Sequence, residues 1–464
     1  MQNLTIKKIS KFSGAEIVQG NPEKIIKNIV IDSREVKADS LFIAIIGENQ
    51  DGHSYLEDAV DNGAAAVIVD RELELNNNDL SILKVKDTTR ALQKIAHNYR
   101  KQFSDLKVVA VTGSAGKTTT KDMIYALLSQ KYNCLKTSGN YNNHIGLPLT
   151  LLNLSGKEDF AVLEMGMSGF GEIKLLAEIA EADYGVVTNV GAAHLKQLGS
   201  LENIAIAKKE LIDSLDENNT AILNYDNQYT RKMGENCRAR VIYYGFDSTA
   251  NLKTLNFDFD KENSVLDFEI NYKNKSYNFY LDKPGKHNIY NAMAAVAVAL
   301  ENNIKKEEIQ KGFLNLEFSS LRMDINQLSN GAKVINDSYN ANPLAVKAAI
   351  DVLIEVAGKR KIAVLASMLE LGEQSKKAHQ EIGNYAAANG VDLLITVGDK
   401  AKMIAQSFQS RLGADSVISL ENNKECIDYL TENLLKNDLV LIKGSRANKL
   451  EEIVDALKNK EFKN

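Results

Sequence analysis

Cysteine is scarce in this chain of 464 residues: Cys134, Cys237 and Cys426 are far apart in sequence. Their spacing fits neither a disulfide framework nor a zinc site, which suits a reducing compartment. Neither sign of charge dominates. Lys and Arg number 56 against 61 Asp and Glu, a net charge of −5, so the basic footprint of a nucleic-acid binder is missing. No apolar run approaches the roughly 18 residues of a membrane span. The opening MQNLTIKKISKFSG has no signal-peptide core, and no fixed-period repeat or low-complexity tract occurs. What remains is an ordinary globular composition, 44% apolar and 25% charged, expected to be cytoplasmic and monomeric. The chain is too long for one core, so two to three domains are expected.

Apolar patterning divides the chain. Strand-like runs at 25–32 (IIKNIVID) and 40–46 (SLFIAII), a helix over 54–62 and a strand at 64–70 (AAAVIVD) make a small α/β unit. A polar stretch, RELELNNNDLS, follows, and a boundary is placed near residue 86. From Val108, the strands VVAVTG, FAVLEMG and YGVVTNVG alternate with amphipathic helices, the rhythm of a parallel sheet with crossover helices. Residues 250–281 alternate at period two, which predicts an attached antiparallel patch. NIYNAMAAVAVALENN reads as a packed small-residue helix too short to span a membrane. A third α/β rhythm starts near Leu316 and runs through AKVINDSY, RKIAVLAS, VDLLITVG and DLVLIKG. The expectation is an α/β chain of three domains: 1–86, 87–316 and 317–464.

The stretch VVAVTGSAGKTTTKDM, 108–123, carries the first chemical signal. Glycines at 113 and 116, between a strand and a helix, let backbone N–H groups turn toward a phosphate at a helix N-terminus. In that reading Thr112, Gly113, Ser114, Ala115 and Gly116 form the cradle. Lys117 neutralises the β/γ-phosphates and the Thr118 hydroxyl ligates Mg²⁺. Val111 stands where the full Gly-x-x-x-x-Gly-Lys-Thr pattern has glycine, and a plain glycine turn is the competing reading. Glu164 ends an apolar strand, either as a metal-site carboxylate or as a solvated rim residue. His194 follows another strand end, as a ligand or as a structural hydrogen-bonder. Ligand sites gather at the carboxyl ends of parallel strands, so Thr118, Glu164 and His194 support one another.

Leu201, Ile204, Ala205, Leu211, Ile212 and Leu215 predict one apolar helical stripe. Lys208 sits in its middle. A lysine on a buried face is costly unless it is paired, modified or neutral. The other reading is a buried stem with its ammonium at the edge. Spacing alone leaves both open.

GSAGKTT, SGNYNNHIGLPLTLL, VLEMGM, NVGAAHLKQLGS, AKKEL, GKHNIYNAMAA, DSYNANP, LELGEQS and IKGSRANKLEE resemble, in order and spacing, the Mur ligases. The resemblance covers essentially the whole chain. It implies a UDP-sugar-binding N-terminal domain, a central ATP-binding domain and a C-terminal Rossmann-like domain closing over it. It also implies an ATP-dependent amide ligase that works through an acyl phosphate with two Mg²⁺ ions. Glu164 and His194 would help hold the metal, and Lys208 would be the family's carbamylated lysine, itself a metal ligand. Asn288 and Asn291 would face the adenine, Asp337 the ribose, and Arg322 would reach the phosphates from the third domain. Catalysis would fall to Lys117, Lys208, His194 and Arg322.

Substrate contacts would come from Asp32, Ser33 and Arg34 in the first domain and from the loop with Asn140, Asn142 and Asn143. Asn340, Lys443 and Ser445 would supply others from the third. Within the family, GNYNNHIGLP and DSYNANP favour a member joining D-Ala-D-Ala to UDP-MurNAc-tripeptide. A ligase adding the third residue, lysine or diaminopimelate, and a non-catalytic nucleotide-binding homologue are the alternatives. Two departures from the family pattern stand out. Ser367 replaces the aspartate usual before MLELG, and SSLRMD lacks the proline or glycine that often precedes the arginine.

Overall fold

The computed structural model describes residues 1–72, 77–261, 265–317, 319 and 321–460. Part of the polar stretch expected after residue 70, at 73–76, lies outside these, as does Ser320 in SSLRMD.

The first sheet has the order Glu16–Gln19, Ser81–Lys84, Ala64–Val69, Ser40–Ile43, Asn28–Val30, parallel except at the Glu16–Gln19 edge. The run expected as one strand over 25–32 is divided. Ile25–Ile26 pairs with Leu4–Thr5 in a separate antiparallel ribbon, while Asn28–Val30 joins the sheet. The helix expected over 54–62 forms as a 3₁₀ turn, Gly52–Tyr55, leading into Leu56–Asp61.

Helix Thr88–Arg100 is capped by the Asp87 side chain, which accepts from Arg90 N. Its buried Leu92, Ile95 and Tyr99 share one core with Ile6 and Ile9 of helix Ile6–Ser13 and with Leu147 and Leu151 of helix Gly146–Leu151. The first and central units are therefore packed through a common apolar core, not joined by a loose linker.

The central sheet runs Lys275–Leu281, Val265–Tyr272, Leu252–Asp260, Arg240–Gly245, Thr220–Asn224, Tyr184–Val187, Lys107–Thr112, Phe160–Glu164, Cys134–Lys136. The antiparallel hairpins expected at 250–281 continue this sheet, because Leu252–Asp260 pairs parallel with Arg240–Gly245. Strands after Lys107–Thr112 are laid first on one side of it and then on the other. It thus stands at the switch point where a crevice opens at the carboxyl ends. Helix Lys286–Glu301, almost wholly buried through its alanines, packs against helix Lys117–Leu128 behind that crevice.

The third sheet runs Asp324–Gln327, Lys333–Asn336, Leu439–Lys443, Lys361–Ala366, Leu393–Val397, Val417–Leu420, antiparallel only in the first pair. Its central runs alternate between two cores. Ala363, Leu365 and Leu441 face one, and Ile362, Val364 and Val440 the other. Coverage on both faces is why these strands read as unbroken apolar runs. Among the described residues no helix is long and apolar enough to cross a membrane.

Candidate active site

Thr112 ends its strand by donating its hydroxyl to Met165 O at 2.9 Å. A Cβ on Gly113 would lie 1.9 Å from Thr188 Oγ1, so no side chain fits there. Gly116, with φ of 80°, starts helix Lys117–Leu128, and a Cβ on it would lie 2.5 Å from Asn291 Oδ1. The loop is clamped from the next strand end. Ala115 N donates to Asn189 Oδ1 at 2.9 Å, while Asn189 Nδ2 and Thr188 Oγ1 donate to Ala115 O at 3.0 and 2.6 Å. Ser114 Oγ donates to Gly191 O at 3.0 Å. Lys117 Nζ folds back to Gly113 O at 2.9 Å. Burial lowers its pKa, Glu164 opposes that, and Arg322 adds to it. A pinned loop, a lysine and a helix N-terminus together suit an anion.

The side of the site opposite the lysine is built on Glu164, which is only 2% exposed and so is no solvated rim residue. Thr118 Oγ1 donates to its Oε2 at 2.7 Å and Asn142 Nδ2 to its Oε1 at 2.8 Å. Asn142, expected to face substrate, thus grips the carboxylate. His194 has φ of 57°, and its Nδ1 stands 2.7 Å from Glu370 Oε2, which reaches across from the third domain. This close contact with His194, which lacks hydrogen-bond alignment, holds the Glu370 carboxyl below its ordinary pKa. Nε2 is then the nitrogen left for a metal.

Among the described residues no three His, Cys, Asp or Glu groups gather closely enough to hold a metal by themselves. Thr118, Glu164 and His194 fit Mg²⁺ if phosphate oxygens complete its shell, the usual arrangement for this cation.

Lys208 lies in helix Leu201–Asp213 between buried Ile204 and Leu211, and is 1% exposed. The snorkelling alternative is therefore ruled out. Among the described residues Nζ makes no hydrogen bond or ion pair. Burial, and then the charge on Lys117, drive its pKa well below the ordinary lysine value.

Asn288 is buried. Its Nδ2 donates to Pro284 O at 2.7 Å and its Oδ1 accepts from Asn291 Nδ2 at 3.3 Å. Asn291 Oδ1 in turn accepts from Thr120 Oγ1 at 3.1 Å, tying this helix to the phosphate-loop helix.

The Arg322 guanidinium stacks 4.1 Å from the Tyr339 ring centroid, and its buried Nε has no hydrogen-bond partner. Leu321 just before it adopts φ of 65°, the conformation a glycine takes without strain. Leu321 N donating to Asp324 Oδ2 at 2.9 Å, and Tyr339 N donating to Leu321 O at 3.2 Å, hold it there. The missing glycine is thus replaced by a strained leucine.

Asp337 and Lys443, at neighbouring strand ends, form a buried ion pair, and Lys443 Nζ also donates to Asn340 O at 3.0 Å. Ser445 Oγ accepts from Leu369 N at 2.9 Å. Ser367 Oγ donates to Asn448 Oδ1 at 3.0 Å, so the serine that replaces the aspartate braces the 445–448 turn.

A cleft of 890 Å³ between the central and third domains gathers most of these groups. Ser114, Ala115, Gly116, Lys117, Thr118, Asn140, Asn142, Asn143, Glu164, His194, Asn288, Asn291, Arg322, Asp337, Asn340 and Lys443 all line it. Thr112, Gly113, Lys208 and Ser445 do not line it. Asp32, Ser33 and Arg34 are not brought into it. Arg34 is paired with Asp32 at 2.6 Å, and its bonds hold the Asp32 carboxyl down at about 2.

Sequence reasoning passed over Asn189, Glu370 and Asn342, whose Nδ2 donates from the third domain to Ser114 O at 3.2 Å. Asn342 was readable as the N-cap of helix Pro343–Glu355, since Pro follows it. Its bond across the cleft was not.

A phosphate loop at the switch point of one α/β domain, met by Arg322, Asn342 and Glu370 from another, defines a two-domain ligase site. The Mur ligase middle domain matches residues 111–299, the Mur ligase, glutamate ligase domain 321–446, and the Mur ligase family, catalytic domain 25–100. The chain belongs to the Mur ligase family. It is similar to the UDP-N-acetylmuramoyl-tripeptide–D-alanyl-D-alanine ligase of Bacillus subtilis (strain 168), 38% identical over 450 residues, 96% of this chain and 97% of that one. A MurF crystal structure from Acinetobacter baumannii superposes with a TM-score of 0.91 at 28% identity, covering 99% of this chain and 100% of that one. The MurF ligase of Thermotoga maritima in complex with ADP gives 0.82 at 30% identity, covering 93% of this chain and 97% of that one.

Proposed function

We propose that this enzyme joins D-alanyl-D-alanine to UDP-MurNAc-tripeptide in the cytoplasm, at the expense of ATP, as a step of peptidoglycan-precursor synthesis. The observation that carries the reading is Arg322. It comes from the third domain, lies close enough to Lys117 to depress its pKa, and keeps a buried donor unmet. Two converging cations with unspent donors suit a γ-phosphate held between two domains. The similarity to the B. subtilis ligase over nearly its full length supports the choice of substrates.

In this reading the domains are 1–86, 87–316 and 317–464. The loop 112–118 holds the triphosphate, Asn288 and Asn291 face the base, and Asp337 faces the ribose. The tripeptide carboxylate attacks the γ-phosphorus and ADP leaves, giving an acyl phosphate. Attacking and attacked groups are both anionic, so Lys117 and Arg322 offset the repulsion. The amine of D-Ala-D-Ala then attacks the acyl carbon, loses a proton, and expels phosphate. The third domain excludes water from an intermediate that water would destroy.

Bound Mg²⁺, two ions in this reading, supplies further charge neutralisation at the phosphate oxygens. Thr118, Glu164 and His194 would hold it, with Asn142 and Glu370 orienting the two strongest ligands. Burial lowers the Lys208 pKa, which favours the free amine whose lone pair attacks CO₂; loss of its proton would leave a carbamate anion near the positive charge of Lys117.

Asn140, Asn143 and Asn340 would give the acceptor a neutral, amide-rich wall suited to a zwitterion. Lys443 and Ser445 would brace the substrate side of the third domain, and Asp32, Ser33 and Arg34 would serve the UDP-sugar.

The test is phosphate release. With UDP-MurNAc-tripeptide and ATP it should require D-Ala-D-Ala. Turnover of UDP-MurNAc-dipeptide with lysine or diaminopimelate would instead assign the third-residue step. Nucleotide binding with no turnover would assign a non-catalytic homologue.

A further inference from the structure

We propose that Asp122 is a positioning residue for the transfer, because it pins the segment carrying Arg322 onto the phosphate-loop helix. Asp122 lies one turn after Thr118 in helix Lys117–Leu128, and its side chain is 1% exposed. A buried carboxylate is expensive unless its oxygens are met. Oδ1 accepts from Lys136 Nζ at 2.9 Å and lies 3.1 Å from Lys121 Nζ. A purely structural ion cluster would end there. Oδ2, however, is given to Ser319, accepting from its backbone N at 3.0 Å and its Oγ at 2.8 Å across 197 residues of sequence.

Both ends of this cluster reach the reaction site. Lys121 Nζ donates to Thr137 O at 2.8 Å, and Thr137 Oγ1 accepts from Glu164 N at 3.0 Å. Ser319 precedes Arg322 by three residues, a tether of at most about 11 Å. With Ser319 fixed, Arg322 can sweep only a short arc about a point on the helix that follows the phosphate loop. The third domain thereby turns about a pivot built into the nucleotide-binding element. Burial pushes the Asp122 pKa up, but Lys121, Lys136 and the Ser319 hydroxyl outweigh it, so the anchor stays anionic.

The inference rests on the ligase reading for the role of Arg322. Asp122→Asn leaves two lysines uncompensated and endangers the fold, so Ser319 carries the test. Ser319→Ala should lower kcat about tenfold, the scale of one hydrogen bond to a charged group, with ADP affinity and KM for ATP within about twofold. Ser319→Thr should restore kcat. In an Arg322→Ala background Ser319→Ala should cost nothing further. An unchanged kcat in Ser319→Ala, or an equal fall in both backgrounds, overturns the proposal.

Solution X-ray scattering with a non-hydrolysable ATP analogue and UDP-MurNAc-tripeptide separates the two ideas. If the wild type compacts but releases no phosphate, the ligase reading fails, and the pivot is judged by whether Ser319→Ala weakens that compaction. Undiminished compaction overturns the pivot as well.

Discussion

Replacing Lys208 by Met should stabilise the protein and stop the reaction. The lysine is 1% exposed, lies between Ile204 and Leu211, and has no hydrogen-bond or ion-pair partner among the described residues. At pH 7 the unfolded lysine is charged. Burial disfavours that charge in the fold, and each unit by which the folded pKa lies below the unfolded one costs about 1.4 kcal/mol near neutral pH. Methionine has similar length and helix propensity without that cost. Local relaxation and water entry reduce the gain to about 1–3 kcal/mol, a rise of a few degrees in Tm. The sign with pH follows from linkage. The unfolded state holds the proton more tightly than the fold does, so wild-type stability rises as pH climbs toward the ordinary lysine value. The gap to Lys208→Met should therefore narrow by up to about 1.4 kcal/mol per pH unit. Thermal unfolding at pH 7, 8 and 9 in CO₂-free buffer with chelator measures it, since these conditions keep the amine unmodified. A variant no more stable than wild type, with a parallel pH profile, would refute the neutral-lysine argument.

Wild-type protein equilibrated with ¹³C-bicarbonate should show a carbamate carbonyl resonance that Lys208→Met lacks; its absence from both would remove the modification. Thr118→Ala and Glu164→Gln should each raise the Mg²⁺ concentration needed for turnover as well as slow it, because each takes an oxygen or its charge from a hard cation. Glu370→Gln should lower activity about 10- to 100-fold by releasing His194 Nδ1, and an unchanged Mg²⁺ titration would place Glu370 outside the site. Glu301 is buried, which raises its pKa, but Arg240, Lys273 and Tyr272 bring it down to about 2 from 4.5. Its depressed pKa contributes stability above pH 4.5 that is lost as pH falls through about 2. Glu301→Gln should therefore be less stable at pH 7 by about 1–2 kcal/mol after solvent screening, and equal to wild type near pH 2 by denaturant titration.

The parts of the fold that could be read from sequence are those whose cause is local. KIAVLA, LLITV and LVLIK were legible because both faces are covered, and no choice of partner alters that. The phosphate loop was legible because strand, glycines and helix lie within 16 residues of chain. The division of IIKNIVID was not, since Ile25 and Ile26 leave for Leu4–Thr5, a pairing with no local mark. The hairpins at 250–281 were seen, but their attachment to Arg240–Gly245 depends on which edge strand was free. In the site, Glu164 and His194 were found as residue types at strand ends. Glu370 and Asn342 were missed because each acts on a residue of another domain, and residue type there carries little information until the domains are docked.

Lys208 was legible for the opposite reason: it breaks a local rule. The same kind of conflict recurs around it. Burial and Arg322 lower the pKa of Lys117, and burial and Lys117 lower that of Lys208, so protonation of each lysine is disfavoured by the next cation. Lys443 is already spent on Asp337. Glu164 opposes the shift on Lys117, yet its oxygens are shared with Thr118 and Asn142. Arg322 therefore disfavours the charge on Lys117, and in the ligase reading a bound triphosphate would meet both cations. In that reading the negative charge that passes to the departing ADP would be met by these cations more fully than in the ground state. Glu370, from the same domain as Arg322, meets His194 and offsets part of this repulsion, so a nucleotide would complete a charge balance that the docked domains begin.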